Sequence, residues 1–204
     1  MYKPLLFLLL AFSPLLVISQ DFTGGVLGGM AMTQVDGDGL GGYHRVGAVA
    51  GVWVSRSFSR TISVRTELKF IQKGSYRRFT DGGGGTIGEY NLRLNYTEMP
   101  FLLEYHFRDN IIPFAGISVG YLWKSIEKND GYENPIEDDT RFKKAELAAH
   151  AGVEYMLNSS FSLCATFSYS VLPVRRNTGD VIDFWTFNFG QFNNVLQLYL
   201  RYHF

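Results

Sequence analysis

The sequence predicts an all-β protein, an eight-stranded antiparallel up-and-down transmembrane β-barrel with short periplasmic turns and long extracellular loops. Three observations predict this fold. Apolar and polar residues alternate with a period of two in several segments, as in strands with one apolar face. Short polar turns alternate along the chain with longer Gly- and Asp-rich stretches. The last strand continues to the final residue, Phe204, with an apolar or aromatic side chain at every second position.

The N-terminus predicts a secretory signal peptide over residues 1–19. Lys3 supplies the positive charge, an apolar run follows it, and small residues before position 20 predict cleavage after 19 or 20. A membrane-anchoring helix is the alternative, but the run is short and Pro14 interrupts it. The remaining residues, 20–204, form the predicted barrel domain of an exported protein of the Gram-negative outer membrane. A chain without long apolar segments can span lipid only as a closed barrel.

Composition narrows the function classes. A chain of 204 residues suits one domain. Nineteen basic residues balance nineteen acidic ones, so the sequence gives no reason to expect a nucleic-acid partner. Cys164 is the only cysteine, which excludes an internal disulfide.

The strands follow in order along the chain, separated by polar segments of unequal length. Short turns are expected near 57–60, 108–110 and 158–160, and long loops over 36–42, 80–89, 127–140 and 176–191. Pro100 and a change of apolar parity between Tyr96 and Met99 predict a bulge in the fourth strand. The predicted strands cover 22–35, 43–56, 61–78, 90–107, 112–126, 143–157, 161–174 and 192–204.

The apolar face of the last strand predicts contact with outer-membrane lipid and recognition by the barrel assembly machinery. It resembles the terminal-strand signal which that machinery reads in outer-membrane barrels. The residues of this predicted assembly signal are Leu196, Leu198, Leu200, Tyr202 and Phe204.

The opposite strand faces carry charges that the barrel fold directs into the lumen. An eight-stranded barrel has an interior filled by side chains, and buried charges must be paired. We therefore expect a structural network of ion pairs and hydrogen bonds, and the alternative is a proton or ion path. The residues of this predicted lumen charge network are Arg65, Glu67, Lys69, Glu98, Glu104, Glu146, His150, Glu154 and Arg201.

No catalytic, cofactor or metal site is expected. Outer-membrane lipid A deacylases carry a His and a Ser two residues apart on one strand, and none of the four His residues here has a Ser in that position. Asp36-Gly37-Asp38-Gly39 resembles the start of a calcium-binding loop, but Gly47 stands where the bidentate Glu belongs.

Gly51-Val52-Trp53 raises a different possibility, a lipocalin-like soluble binder with an apolar interior. In lipocalins this tripeptide lies in the first strand and a helix follows the last one. Here the tripeptide lies in the second predicted strand, and no helix is expected after the last strand. Periodicity alone leaves open which face Trp53 occupies.

Several segments resemble the PorT-type outer-membrane β-barrel family of Bacteroidetes-like bacteria. They are Glu67-Leu68-Lys69-Phe70 with Lys73-Gly74-Ser75, Met99 to Tyr105, Ala115 to Gly120, Gly152 to Tyr155, and the terminal Phe204. The resemblance implies architecture throughout the mature chain, and no catalytic residue is available to carry over. Because some members are linked to type IX secretion, it also implies an accessory or interaction role with a protein partner in the outer membrane. A narrow pore or small-ligand transporter is the alternative.

Aromatic residues in the last long loop are candidates for a partner surface, or for packing onto the barrel mouth. They are Phe184, Trp185, Phe187 and Phe189.

Overall fold

A computed structural model describes residues 22–108, 110–133, 141–176 and 190–204, whose regular structure consists of β-strands. Within these ranges no helix is long and apolar enough to cross a membrane. Two short strands, β6 (Tyr132–Glu133) and β9 (Arg175–Arg176), pair with β5 and β10. The long strands are β1 (Phe22–Asp36), β2 (Arg45–Ser57), β3 (Ile62–Thr80), β4 (Thr86–Tyr105), β5 (Ile111–Asn129), β7 (Ala145–Met156), β8 (Phe161–Ser170) and β10 (Gly190–His203).

The eight long strands form a closed antiparallel ring. Each pairs with its neighbour along the chain, and β1 pairs with both β2 and β10. Gly29, for example, lies opposite Val49 on one side and Tyr199 on the other. Closure gives every strand two neighbours and removes the open edges that a lipid environment cannot satisfy. The predicted eight-stranded up-and-down barrel is confirmed.

The two ends of the barrel differ. We call the end with the connections 58–61, 106–110 and 157–160 the turn end, and the opposite end the loop end. Local side-chain hydrogen bonds fix the short turns: Asn158 Oδ1 accepts from the backbone N–H groups of Ser160 and Phe161 at 2.9 Å. The pair Gly25 and His203 places the start of β1 and the end of β10 together at the turn end.

Strands β3, β4 and β5 extend further at the loop end than sequence analysis predicts. The expectation of a long loop over 80–89 is wrong, because β4 already begins at Thr86. A tight connection closes this hairpin: Asp81 Oδ1 accepts from the N–H groups of Gly83 and Gly85, and Gly84 has a φ of +84°. By contrast β8 ends at Ser170, before Pro173, which lacks the N–H that pairing requires.

A bulge lies close to its predicted position but on the neighbouring strand. The β4–β5 register shifts between Asn95 and Tyr96, so that Trp123 of β5 is the extra residue. Pro100 keeps its regular partner Ser118, whereas the β3–β4 ladder lapses opposite Met99 and Pro100. The change in apolar parity is not caused by a bulge in β4, because every second residue from Leu92 onward points inward without interruption. It arises because Leu92 and Leu94 are apolar although they face the interior.

Apolar side chains cover the outside of the barrel and the charges lie inside. Val52, Leu68 and Leu198 are about half exposed on the outer face, and the alternate residues of the same strands are buried. Trp53 points inward and is 4% exposed, which settles the face that periodicity left open. The lipocalin-like alternative is wrong, because it requires the apolar face inside.

The candidate functional site lies in the barrel interior

The nine residues of the predicted lumen charge network all lie inside the barrel. Each is at most 4% exposed, although they come from four different strands. Antiparallel pairing with alternating side chains brings them together, since every second residue of each strand faces the same interior. The structure thus joins charges as distant in sequence as Arg65 and Arg201.

Near the turn end, two arginines and three glutamates form one cluster. Arg65 Nη1 lies 2.6 Å from Glu104 Oε1 and 2.6 Å from Glu154 Oε2, and its Nε lies 3.1 Å from Glu67 Oε1. Arg201 also pairs with Glu154 and lies 3.6 Å from Glu104. Arg65 therefore links strands β3, β4 and β7 through a single side chain.

Toward the loop end, two lysines continue the network. Lys69 lies 3.2 Å from Glu67 and 3.7 Å from Glu98, and Lys73 lies 2.9 Å from both Glu98 and Glu146. Lys73 is not among the nine residues predicted for this network. The signal was present, because Lys73 continues the inward parity of Arg65, Glu67 and Lys69, but the clear apolar alternation of β3 ends at Phe70.

His150 stands beside the charges. Its Nε2 lies 2.8 Å from the Ser118 hydroxyl and 3.9 Å from Glu98 Oε1. Ser118 in turn donates to Glu98 at 3.3 Å, so a carboxylate, a hydroxyl and an imidazole form one chain across the interior. These contacts join His150 to the same hydrogen-bonded network.

Each buried cation of the network also lies over an aromatic ring. The distances from cation to ring centroid are 4.5 Å for Arg65 over Phe114, 5.5 Å for Lys69 over Tyr199, 5.0 Å for Lys73 over Tyr96 and 3.7 Å for Arg201 over Trp53. Such contacts stabilise a desolvated cation further. The sequence did not reveal these pairs, because they form across strands.

Inward-facing glycines of β1 make room for two of these rings. A Cβ atom on Gly25 would lie 2.9 Å from Trp53 Nε1, and one on Gly29 would lie 2.6 Å from Tyr199 Cβ. The same Cβ atoms would lie even closer to the carbonyl oxygens of Tyr202 and Leu198, respectively. A larger residue at either position would therefore displace the backbone of β10 as well as the ring.

An apolar layer lies between the charge network and the loop end. Its members come from three long strands and from the segments beside β7 and β9, and all are at most 5% exposed. Backbone hydrogen bonds hold these segments, including Lys143 N–H to the Val174 carbonyl at 2.7 Å. The layer consists of Val35, Leu92, Leu94, Leu122, Phe142 and Val174.

Two cavities lie at opposite ends of the barrel. The turn-end cavity has a volume of about 250 Å³ and reaches Trp53, His106 and His203. The loop-end cavity has a volume of about 350 Å³ and reaches Asp38, Glu127 and other residues. Between them lie side chains that are almost fully buried.

The turn end contains Ser–His contacts that a search along single strands did not find. Ser63 Oγ lies 2.8 Å from His106 Nε2, and Ser162 Oγ lies 3.0 Å from His203 Nε2. However, Ser63 donates to Glu104 at 2.6 Å, so the carboxylate contacts the hydroxyl. In a catalytic triad the carboxylate orients the His instead. Among the described residues no group of three or more His, Cys, Asp and Glu is arranged to hold a metal ion.

Four residues of the predicted assembly signal lie on the outer side of β10, and the fifth, Phe204, directly follows this strand. Tyr202 packs against Phe161 with ring centroids 5.2 Å apart, and against Phe204 at 5.7 Å. The signal-peptide region and the loop aromatics Phe184, Trp185, Phe187 and Phe189 lie outside the described residues.

Comparison with known proteins agrees with this architecture. A sequence profile described as "Outer membrane protein beta-barrel domain" matches residues 18–174. No functionally curated protein matches the sequence. The crystal structure of Neisserial surface protein A superimposes with a TM-score of 0.51 at 12% identity, covering 90% of this chain and 97% of that one. The attachment invasion locus protein Ail of Yersinia pestis gives 0.47 at 14% identity, covering 89% and 98%. At such identities the likeness concerns the fold alone.

Proposed function

This chain belongs to the outer membrane protein β-barrel domain family, and from that premise we propose that it is a non-enzymatic accessory component of an outer-membrane assembly. In this role the barrel anchors the protein in the membrane, and the surface at the loop end contacts a protein partner. The PorT-type resemblance of the sequence adds the type IX secretion machinery as the candidate assembly.

The observation that carries the proposal is the filled interior. Arg65, Glu67 and Glu98 are at most 1% exposed, so the surrounding side chains shield them from solvent at both ends of the barrel. The apolar layer lies over them. A solute would have to break several buried ion pairs to pass, and breaking one such pair costs about 3–5 kcal/mol. This favours a role for the outer surface over transport through the lumen.

The projecting part of β3, β4 and β5 supports a partner surface at the loop end. Pairing of β2 with β3 ends at Val49 and Ile71, so β3 continues from there to Thr80 with β4 as its neighbour. Phe79 and Ile87 on this extension are 43% and 69% exposed, and Tyr132 of the adjoining strand β6 is 81% exposed. Exposed apolar residues beside an unpaired strand edge are typical of surfaces that bind proteins.

The proposed membrane orientation has the turn end in the periplasm and the loop end outside the cell, as in other barrels of this kind. Export uses the signal peptide over residues 1–19. N-terminal sequencing of the mature protein should begin at residue 20 or 21, and retention of Met1 would contradict export by cleavage. The terminal residues Tyr202 and Phe204 serve as the assembly signal in this proposal.

A paired experiment tests the role. Affinity purification from native membranes should recover a reproducible partner with the wild-type protein, and should lose it when Phe79, Ile87 and Tyr132 are replaced by Ser. The matched control is Phe58→Ser, which removes a 62% exposed aromatic residue from the turn end and should keep the partner.

Single-channel recording of the purified barrel separates this role from the alternative, a narrow pore or small-ligand transporter. The accessory role predicts no stable conductance. Steady conductance together with the absence of any co-purifying protein would overturn the proposal in favour of transport.

A further inference from the structure

The loop-end cavity contains a mixture of charged, polar and apolar walls. It lies beside the apolar layer, against which Tyr90 packs, and its volume of about 350 Å³ is in the range of small-molecule sites. Its lining brings together separate elements: the β1–β2 connection, β3, β4, β5, β9 and β10. Its lining includes Asp38, Leu40, Phe79, Glu127, Arg175 and Gln191.

The charged groups on one side of the cavity already have partners within the protein. Glu127 accepts a hydrogen bond from the Tyr90 hydroxyl at 2.8 Å and pairs with Arg175 at 3.1 Å. Arg175 also lies over the ring of Phe142, 4.6 Å from its centroid. This carboxylate and this guanidinium neutralise each other and form a rigid wall.

The other side has two acceptors that lack donors. Asp38 Oδ1 accepts from the Leu40 N–H at 2.7 Å, and the Ser75 hydroxyl lies near the same carboxylate. Asp38 Oδ2 is nevertheless buried and has no direct hydrogen bond to any of the described residues. Gln191 Oε1 is also buried without a hydrogen-bond partner among the described residues, and Gln191 lines the same cavity. Buried acceptors without donors are costly, so both favour a ligand that donates hydrogen bonds.

We propose that this cavity binds a small organic ammonium ion, which donates to Asp38 and Gln191 while its aliphatic part packs against Leu40 and Phe79. A primary ammonium group carries three donors and no acceptor, which matches two oxygens without donors. Its positive charge balances the carboxylate of Asp38, since Arg175 already neutralises Glu127. An anion would meet the negative charge of Asp38. The inference does not depend on the accessory role.

Protonation of Asp38 should control the affinity. Burial raises the pKa of Asp38 from 3.8 to about 6, in spite of the opposing interactions with the Leu40 N–H and the Ser75 hydroxyl. Asp36, Tyr90, Glu127 and Arg175 are the titratable or charged groups around it. Since the ammonium ion requires the carboxylate, affinity should fall about tenfold between pH 7.5 and pH 5.

The test is a titration of the refolded barrel in nanodiscs of zwitterionic lipid with n-butylammonium chloride, followed by amide chemical shifts. Butan-1-ol and sodium butyrate have the same chain without the cation and are the ligand controls. We expect saturable shifts for the ammonium ion that are confined to residues around the cavity. Lack of saturation, or equal binding of butan-1-ol, would overturn the proposal.

Substitutions of the lining residues test whether the ammonium ion binds in this cavity. Asp38→Asn should weaken affinity about tenfold, because it removes a charge-assisted hydrogen bond, and Gln191→Met should weaken it less. Glu89→Gln is the matched control: it removes a negative charge from the loop end outside this cavity and should change affinity less than about twofold. Equal affinity of Asp38→Asn and wild type would sink the assignment. If Asp38→Asn fails to fold, Gln191→Met and the ligand series on the wild type decide.

Discussion

Replacing Arg65 by Ala should destabilise the barrel strongly. Arg65 is fully buried and contacts Glu67, Glu104 and Glu154. Its removal leaves these carboxylates in a low-dielectric interior with fewer cations, and Arg201 still pairs with two of them. Breaking a buried pair costs about 3–5 kcal/mol. This is a large part of a total stability that is about 5–15 kcal/mol for typical proteins.

The assay is reversible denaturant unfolding of the refolded barrel in lipid vesicles, followed by tryptophan fluorescence. The matched control is Lys128→Ala, which breaks a surface ion pair with Glu133 whose side chains are 41% and 68% exposed. Such a pair contributes about 0–1 kcal/mol. A double-mutant cycle of Arg65→Ala with Glu104→Gln should give a coupling energy of about 1 kcal/mol or more. Equal costs for Arg65→Ala and Lys128→Ala, with no coupling, would refute the structural role of the network.

Three more perturbations test other parts of the molecule. Deletion of Phe204, or replacement of both Tyr202 and Phe204 by Asp, should leave the chain unfolded in the periplasm. The heat-modifiable gel band should then disappear, and normal membrane insertion would count against the assembly signal. Leu198→Arg places a charge on the lipid-facing side and should cost about 2–4 kcal/mol of unfolding free energy in vesicles, and a cost near zero would contradict the lipid contact. Because the pKa of Asp38 is about 6 in the fold and 3.8 in the unfolded chain, stability from this group is present below pH 3.8 and is lost as pH rises through 6. Asp38→Asn should therefore raise the denaturation midpoint at pH 7.5 and leave it nearly unchanged near pH 4, and the opposite pH trend would refute the assignment.

The strands and the direction of their side chains were predictable from the sequence, because a barrel strand needs apolar residues on its lipid face and mostly polar residues on its lumen face. Leu198 and Arg201 lie on opposite faces of β10, and the alternation between them suffices to assign lipid and lumen. The same two-face pattern led to the wrong prediction of a bulge in β4 itself. There Leu92 and Leu94 face inward, since the interior becomes apolar toward the loop end, and a period-two pattern cannot detect a change in the polarity of the lumen.

The partners within the interior were not predictable. Which Glu meets Arg65 depends on strand register and on the shear of the closed ring, and a two-residue change in register would preserve every face while exchanging the pairs. The placement of Arg201 over Trp53 also depends on Gly25, which leaves space for the ring. The loop-end cavity depends on β9 and β10 meeting the β1–β2 connection, and local sequence carries little information about such a meeting.

Water should not pass through the barrel interior, and the reactivity of the native Cys164 tests this most directly. This thiol is fully buried at the level of the charge network. In the folded barrel it should resist a water-soluble maleimide and should react only after unfolding. As a control, Thr23→Cys in a Cys164→Ser background should react in the folded state, because Thr23 is exposed and lines the turn-end cavity. Labelling of native Cys164 in the folded barrel at a rate close to that control would contradict a sealed interior.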